Sequence, residues 1–193
     1  MTNIAVVYHS GYGHTSVLAE AIVRGAVGAG VSSQAIKVGA DGSLSDADWA
    51  SLDAADAIVF GAPTYMGSVS GPFKMFMDAT SKAWFTQKWK NKLAGGFTNS
   101  GSMSGDKLNA LIQLAVLAAQ QGMVWVGQAE VNASSGADVP SGNPDSVNRI
   151  GSYLGVMGQS DNVSPDKAPT SGDIKTAELF GKRMAESTKR WAA

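Results

Sequence analysis

Short apolar runs alternate with stretches of helical periodicity along most of the chain. Runs with the length and composition of strands are NIAVVYH (3–9), SSQAIKV (32–38), AIVFGAPTY (57–65), KLAGGFTNS (92–100) and MVWVGQAEV (123–131). Apolar residues recur at helical spacing in residues 15–27, 44–55, 71–84, 106–121 and 175–191. Because strands and helices alternate, the pattern predicts an α/β domain with a parallel sheet covered by helices on both faces.

Local signals sharpen several of these boundaries. Ser45 or Asp46 suits the N-cap of the second helix, and Gly122 suits a left-handed C-cap after the fourth. Gly61 and Pro63 are expected to break the third strand. Residues 132–168 are rich in Gly, Ser, Asn, Asp and Pro. We expect them to form an irregular segment inside a single domain of 193 residues, and not a linker, because the last helix is still needed to cover the sheet.

A glycine-containing turn joins the first strand to the first helix. The N-terminus of a helix carries about half a positive charge and attracts phosphate. Ser10, Tyr12 and Thr15 add hydroxyl groups, and Gly11 and Gly13 leave their backbone N–H groups accessible. The turn contains neither Lys nor Arg, so it predicts a site for a single phosphate. An ordinary polar turn is the alternative.

Two other phosphate motifs fit this chain less well. GYGHTS matches a dinucleotide fingerprint except that Ser16 replaces the third glycine. The acidic residue that such a site needs would be Asp41, which follows the second strand after two flexible residues. GSMSGDK has the wrong spacing for a triphosphate loop, and no Ser or Thr follows Lys107.

Two more polar loops follow the third and fourth strands. They are PTYMGSVSG (63–71) and TNSGSMSGD (98–106). In a doubly wound sheet of order 2-1-3-4-5, these loops and the first one meet at the carboxyl edge. One loop would bind a phosphate and the others would present backbone donors and apolar surface to a planar ring. The sequence therefore predicts a mononucleotide with a large ring, FMN.

The segments YHSGYGHT, GAPTYMGSVSGPFKMFMDATSKAW, GFTNSGS and GMVWV together resemble the flavodoxin-like NAD(P)H:quinone oxidoreductases of the WrbA type. The likeness extends through nearly the whole chain. It implies a flavodoxin-like fold with a five-stranded parallel sheet, FMN as cofactor, and NADH or NADPH as electron donor. It also implies two-electron reduction of quinones and assembly into homodimers or homotetramers. Because the nicotinamide and the quinone would use the same ring face in turn, we expect ping-pong kinetics.

The resemblance also assigns residues by position. It implies that the FMN phosphate binds residues of the first loop, which are Ser10, Gly11, Tyr12, Gly13, His14 and Thr15. The isoalloxazine and ribityl chain would contact Pro63, Thr64, Tyr65, Met66, Gly67 and Ser68. The ribityl and pyrimidine side would be covered by Asn99, Ser100, Gly101, Ser102, Met103 and Ser104. Tyr12 would also contact the nicotinamide nucleotide, and Trp84 would border the substrate, often from a neighbouring subunit.

The chain departs from those enzymes at three positions. They carry Arg and Phe where this chain has Tyr65 and Met66, and a histidine beside the flavin where it has Gln121. Gln121 is expected to hydrogen-bond the flavin, but an amide cannot titrate. No catalytic side chain is therefore assigned.

Several of these residues have a simpler structural interpretation. The two histidines, His9 and His14, are either packing or surface residues, or phosphate contacts in the case of His14. Trp84, Phe85 and Trp89 have near-helical spacing and form either a substrate wall completed by another subunit or part of the core.

Charge and composition exclude several classes of protein. The formal net charge of -1 gives no basis for binding nucleic acid or an anionic membrane. No apolar run spans a bilayer, and no basic leader precedes the first strand, so we expect a cytoplasmic protein. The chain has no cysteine, which excludes disulfides and thiol chemistry, and no metal site is expected. A flavodoxin-like electron carrier and an FMN-binding scaffold remain alternatives, although carriers tend to be strongly acidic.

Overall fold

The computed structural model describes residues 2–135 and 139–193. The strands are β1 (Asn3–Tyr8), β2 (Ser32–Lys37), β3 (Ala57–Tyr65), β4 (Ser68–Val69), β5 (Leu93–Ser100), β6 (Val124–Trp125) and β7 (Val156–Gln159). The helices are α1 (His14–Gly28), α2 (Asp46–Ala54), α3 (Gly71–Ala79), α4 (Ser81–Phe85), α5 (Lys107–Gln120) and α6 (Ser171–Trp191), with a 3₁₀ turn at Ala133–Ser135.

The sheet has the doubly wound order that the sequence predicts. Its strands run β2-β1-β3-β5-β6, and all these pairings are parallel. β5 is the predicted fourth strand. β4 folds back antiparallel onto the end of β3 as a small hairpin. The flavodoxin-like α/β fold is therefore confirmed.

Two short strands share the fifth position of the sheet. β6 pairs with the start of β5 at Leu93 and Ala94, and β7 pairs with its end, from Phe97 to Ser100. The predicted fifth strand over 123–131 is wrong beyond Trp125, because the chain leaves the sheet there and returns at Val156. The predicted irregular segment over 132–168 is also wrong in part, since it contains β7. The segment between β6 and β7, residues 126–155, is called the excursion below, and its residues 136–138 lie outside the described residues.

The third strand does not break where its glycine and proline suggest. β3 continues through Gly61, which pairs with Phe97 on the neighbouring strand. A Cβ at Gly61 would lie 2.0 Å from the ring of Phe97, so glycine is needed there to make room for that ring. Pro63 pairs with Asn99 on one side, while β1 on the other side has already ended at Tyr8. A missing N–H is tolerated at such an edge position.

The predicted helix over 71–84 is two helices. It divides at Thr80 into α3 and α4, and the Thr80 hydroxyl donates to the carbonyl of Met77 at 2.6 Å. Other local predictions are confirmed: Ser45 caps α2 in a reciprocal capping box with Asp48, and Gly122 has a positive φ of 72° after α5.

Apolar clusters cover both faces of the sheet. Side chains of α2, α3 and α5 pack on one face, and those of α1 and α6 pack on the other. The α1–α6 contact is close because a Cβ at Gly25 or Gly181 would meet the backbone of the opposite helix at 1.8 and 2.0 Å. In the described part of the chain, no helix is long and apolar enough to cross a membrane.

Candidate cofactor site

A cleft lies at the carboxyl edge of the sheet, where the predicted loops meet. Its volume is about 220 Å³. The three predicted loops line it together with a fourth loop that follows β7. Its lining residues are Ser10, Tyr12, His14, Thr15, Pro63, Thr64, Tyr65, Asn99, Ser100, Gly101, Ser160, Asp161 and Asn162.

The first loop turns from β1 into α1 around the Ser10 side chain. Its hydroxyl oxygen accepts from the N–H groups of Gly13 at 3.1 Å and Ser16 at 3.3 Å. The N-cap of α1 is Gly13, which offers no side-chain cap, and the first turn of α1 has no acidic residue. The positive end of the helix dipole is therefore left for an anion.

The fourth loop supports the first from behind. A Cβ at Gly13, whose φ is +94°, would lie 2.9 Å from the ring of Pro165. The His14 ring donates from Nε2 to the carbonyl of Val163 at 2.8 Å. His14 thus both lines the cleft and joins the two loops. Sequence reasoning missed this loop, because its residues lie about 150 positions from the first loop and carry no phosphate-binding signature of their own.

The second loop is the β3–β4 hairpin. Met66 and Gly67 both have positive φ, at 47° and 79°, as a two-residue type I′ turn requires. Helix α5 fixes this hairpin: Asn109 donates to the Gly67 carbonyl at 2.6 Å, and the Ser68 hydroxyl donates to Gln113 at 2.9 Å. Met66 is fully exposed at the tip. The structure therefore places Met66, Gly67 and Ser68 next to the cleft, not in its lining.

Two tyrosines meet at the mouth of the cleft. The rings of Tyr12 and Tyr65 lie edge to face, with centroids 6.2 Å apart. Burial, followed by the proximity of Tyr12, raises the pKa of Tyr65, and the N–H of Gly11 opposes this rise. A Cβ at Gly11 would lie 2.6 Å from the Tyr65 hydroxyl oxygen, so glycine is needed for this close approach.

The third loop contributes polar groups at the end of β5. The Asn99 side-chain oxygen accepts from the Ser160 hydroxyl at 3.0 Å, which connects the third and fourth loops. Thr98 donates to the Ala62 carbonyl at 2.7 Å. The Ser100 hydroxyl is buried and has no hydrogen-bond partner. A buried hydroxyl without a partner costs free energy, so Ser100 fits a ligand group that would satisfy it.

Ser102, Met103 and Ser104 of the third loop lie outside the cleft lining, above a buried lysine. The ammonium group of Lys107 donates to the carbonyl of Ser102, and to those of Met103 and Ser104 at 3.4 Å each. Burial lowers the pKa of Lys107 to about 8, and the nearby carboxylate of Asp173 opposes this. Sequence reasoning considered this lysine only as part of a triphosphate loop.

A buried ion pair lies beside Lys107. Arg149, from the excursion between β6 and β7, binds both carboxylate oxygens of Asp173 at 2.8 and 2.9 Å. Arg149 also donates to Gln159 at 3.0 Å, and Gln159 donates to the Gly101 carbonyl and to Asp161 at 2.9 Å each. These contacts connect the pair to both the third and the fourth loops.

The charges of the cleft suit a phosphate bound by dipoles and hydroxyls. Among the described residues, its lining contains neither Lys nor Arg, and Asp161 is the acidic residue that it includes. His9 lies just before the first loop, where its Nδ1 is 2.8 Å from the Ser70 hydroxyl. Burial, followed by the positive charge of Lys37, lowers the pKa of His9. Among the described residues, no group of three or more His, Asp or Glu could hold a metal ion.

The structure does not bring two of the predicted residues to the cleft of their own chain. Gln121 follows α5 at the amino edge of the sheet, where its amide donates to the carbonyl and the hydroxyl of Thr80 at 3.1 and 2.9 Å. Trp84 lies one helical turn after Thr80, and its side chain is half-exposed. Neither lines the cleft. Phe85 is exposed, whereas Trp89 is fully buried and donates to Asp53 at 2.8 Å, so the predicted cluster of three aromatic residues is divided between surface and core.

Comparisons with known proteins agree with this geometry. Residues 10–138 match the protein family described as NADPH-dependent FMN reductase. Flavodoxin FldP from Pseudomonas aeruginosa is 42% identical over 189 residues, which cover 96% of both chains. NAD(P)H dehydrogenase (quinone) 3 from Rhizobium meliloti is 26% identical over 207 residues, 96% of this chain and 92% of that one. The crystal structure of a WrbA-like flavodoxin from Agrobacterium tumefaciens aligns with a TM-score of 0.77 at 43% identity, covering 98% of this chain and 99% of that one.

Proposed function

Since the chain belongs to the NADPH-dependent FMN reductase family and is a flavodoxin-like protein of the WrbA type, we propose that it is an FMN-dependent oxidoreductase that transfers two electrons from NADH or NADPH to a quinone. The observation that supports this best is the cleft at the carboxyl edge of the sheet. There the N-terminus of α1, whose first turn has no acidic residue, lies together with a set of hydroxyl groups and the unpartnered Ser100, and the described lining contains neither Lys nor Arg.

The first loop would hold the FMN phosphate. The N-terminus of α1 supplies a positive dipole and Thr15 adds a buried hydroxyl, while the Gly13 N–H donates to the Ser10 hydroxyl and shapes the loop. Charge-assisted hydrogen bonds of this kind contribute about 1.5–3 kcal/mol each. The hydrogen bond from the His14 ring to the Val163 carbonyl fixes the position of this ring in the cleft lining.

The second and third loops would bind the rest of the cofactor. Pro63, Thr64 and Tyr65 would border the ring, with Met66, Gly67 and Ser68 at its outer side. Asn99, Ser100 and Gly101 would face the ribityl and pyrimidine part, supported from behind by Ser102, Met103 and Ser104. Tyr12, which is largely exposed at the mouth, would contact the nicotinamide nucleotide.

The cofactor supplies the redox chemistry when it is bound, and the protein supplies position and electrostatics. The chain would orient the donor and then the acceptor over the same open mouth, and this predicts ping-pong kinetics. Tyr65 lines the cleft with a raised pKa, and such a phenol stays protonated near neutral pH and does not act as a base. We therefore assign no catalytic side chain.

A second copy of the chain would complete the site. Pockets for ligands of this kind typically hold about 300–1,000 Å³. The cleft holds about 220 Å³, so a single chain would leave much of the ring uncovered. Trp84 and Gln121 both lie at the opposite edge of the sheet, and they could approach a flavin only in another subunit of a homodimer or homotetramer. Trp84 would then border the quinone.

An electron carrier is the second candidate, because the relative from Pseudomonas aeruginosa at 42% identity is named a flavodoxin. Carriers are typically strongly charged so that they are steered toward their partners, and the net charge of -1 gives little such steering. The same weak charge disfavours nucleic acid and membrane surfaces as partners. We propose that the protein acts on small molecules in the cytoplasm.

Anaerobic titration distinguishes the two candidates. The purified protein, loaded with FMN, is titrated with NADH or NADPH while flavin absorbance is recorded, and benzoquinone is then added. An oxidoreductase loses its yellow colour with the nicotinamide nucleotide and regains it with the quinone at each cycle. A protein that binds FMN but is reduced by dithionite alone, and not by either nucleotide, is a carrier or a scaffold.

A further inference from the structure

Lys107 is a fully buried cation beneath the third loop. It is the first residue of α5, and its ammonium group donates to the carbonyls of Ser102, Met103 and Ser104. Its pKa of about 8 keeps it mostly protonated at pH 7. The side chain is therefore a positive charge surrounded by protein dipoles and removed from water.

The charges around Lys107 do not neutralise it. Asp173 is the nearby acidic group, but Arg149 already binds both of its carboxylate oxygens, and both side chains are almost fully buried. Lys107, Arg149 and Asp173 together carry one net positive charge. Asp161, which Gln159 connects to this cluster, is exposed, so solvent screens its charge.

The cluster contacts the backbone that lines the cleft. Gln159 joins Arg149 to the carbonyl of Gly101, which is a lining residue, and Lys107 holds the three residues that follow Gly101. The cleft lining contains neither Lys nor Arg. The charge of Lys107 therefore acts on the cleft from behind the third loop, through the backbone of residues 101–104.

Keeping a lysine charged in this position is costly. Removing an ammonium group from water costs several kcal/mol even after relaxation, and apolar side chains often fill such a space at no loss of stability. Strongly perturbed ionisable groups beside a cleft are frequent at functional sites. Holding three loop carbonyls needs donors but does not need a charge.

We propose that Lys107 is a redox-tuning residue, whose buried positive charge favours the reduced state of the FMN bound in the cleft. This inference rests on the proposed function. Gain of two electrons and one proton makes the cofactor more negative by one unit, and a fixed, buried positive charge nearby stabilises that added charge. Lys107 touches neither cofactor nor substrate and acts through the third loop.

The test compares the affinity of the protein for oxidised and reduced FMN. Lys107→Met should weaken binding of reduced FMN about tenfold more than binding of oxidised FMN, which corresponds to a midpoint potential about 30 mV more negative. Lys107→Arg, which keeps the charge, should retain the natural potential. Both quantities are measured by flavin titration and by spectroelectrochemistry, independently of turnover.

Lys92 provides a matched control. Its ammonium group also donates to three carbonyls, those of Leu52, Asp53 and Ala55, and burial also lowers its pKa. It lies at the opposite edge of the sheet from the cleft. Lys92→Met should therefore leave the potential unchanged.

Equal weakening of both oxidation states by Lys107→Met would overturn the proposal and leave Lys107 as a support for the loop. An equal shift in Lys92→Met would overturn it too. If Lys107→Met does not fold, Lys107→Gln, which keeps an N–H donor for the loop carbonyls and removes the charge, must make the potential more negative; an unchanged or more positive value contradicts the proposal. Absence of FMN binding by the natural protein would instead refute the proposed function.

Discussion

At the residue scale, the first loop depends on glycines whose neighbours leave no room for a side chain. Gly13 has a φ of +94°, and a Cβ there would meet the ring of Pro165 at 2.9 Å. A β-branched residue at this position is strained in its backbone and displaces the fourth loop. The loop that we assign to the phosphate is thus held by a contact from the far end of the chain.

Gly13→Val should reduce FMN affinity by at least about tenfold and lower the free energy of unfolding by about 1–2 kcal/mol, since a non-glycine residue is disfavoured in this conformation. Quenching of FMN fluorescence gives the affinity and thermal unfolding gives the stability. Gly28→Ala in the same helix is the control, because a Cβ there meets nothing within 4 Å. A folded Gly13→Val protein with undiminished FMN affinity would show that the first loop does not bind the phosphate.

The sequence predicted those site residues that depend on local turn chemistry. Ser10, Tyr12 and Thr15, which line the cleft, could be recognised because a strand, a turn and a helix follow each other directly, whereas Gly11 and Gly13 are not among the lining residues. Ser160 and Asp161 could not be recognised, because they reach the cleft only through β7, a strand of four residues that forms beside β5. Lys107 was missed as well, since its burial depends on the fold of the third loop around it.

At the element scale, long periodic segments were predictable and short or tertiary-dependent ones were not. Strands β1, β3 and β5 have clear apolar runs, whereas β2 alternates only weakly. The fifth position of the sheet is shared by β6 and β7, and each of these strands pairs with only part of β5. Neither strand is long enough to produce a recognisable apolar run. Gly61 and Pro63 led to a wrong prediction of a strand break. They are tolerated in β3 because of features of other strands, the ring of Phe97 and the end of β1, which the local sequence does not reveal.

The excursion between β6 and β7 is anchored by the buried Arg149–Asp173 pair. Arg149→Ala should lower the free energy of unfolding by about 3–5 kcal/mol, because it leaves the Asp173 carboxylate buried without its partner. Urea denaturation measures this change. Lys74→Ala, which removes an exposed ion pair with Asp78, should change stability by less than about 1 kcal/mol. If the two variants lose equal stability, the buried pair does not anchor the excursion.

At the scale of the whole molecule, large apolar side chains remain on the surface outside the cleft lining. Phe85 is exposed and Trp84 is half-exposed, and Leu108, Ile112 and Val116 form an exposed stripe along α5. Exposed apolar side chains in such numbers often mark an interface. Together with the small volume of the cleft, they support assembly in which one chain covers the flavin of another.

Trp84→Ala should raise the KM for the quinone or lower kcat severalfold, while FMN affinity stays near that of the natural protein. The reason is that Trp84 lies far from the FMN loops of its own chain and would reach the quinone from a second copy. Steady-state kinetics and light scattering on the same samples provide the readout. Trp191→Ala, which removes another half-exposed tryptophan, should leave the kinetics unchanged. A monomer with full activity would rule out a shared site.

The central claim is that the cleft at the carboxyl edge of the sheet binds FMN. Titration of isotope-labelled, flavin-free protein with FMN, followed through its backbone amide NMR signals, tests it most directly. We expect large shifts for Gly11, Gly13, Thr15 and Ser100, with saturation at one FMN per chain, and none for Val27 or Gly28 at the far end of α1. Shifts confined to any other surface, or no saturable shifts at all, would contradict the assignment.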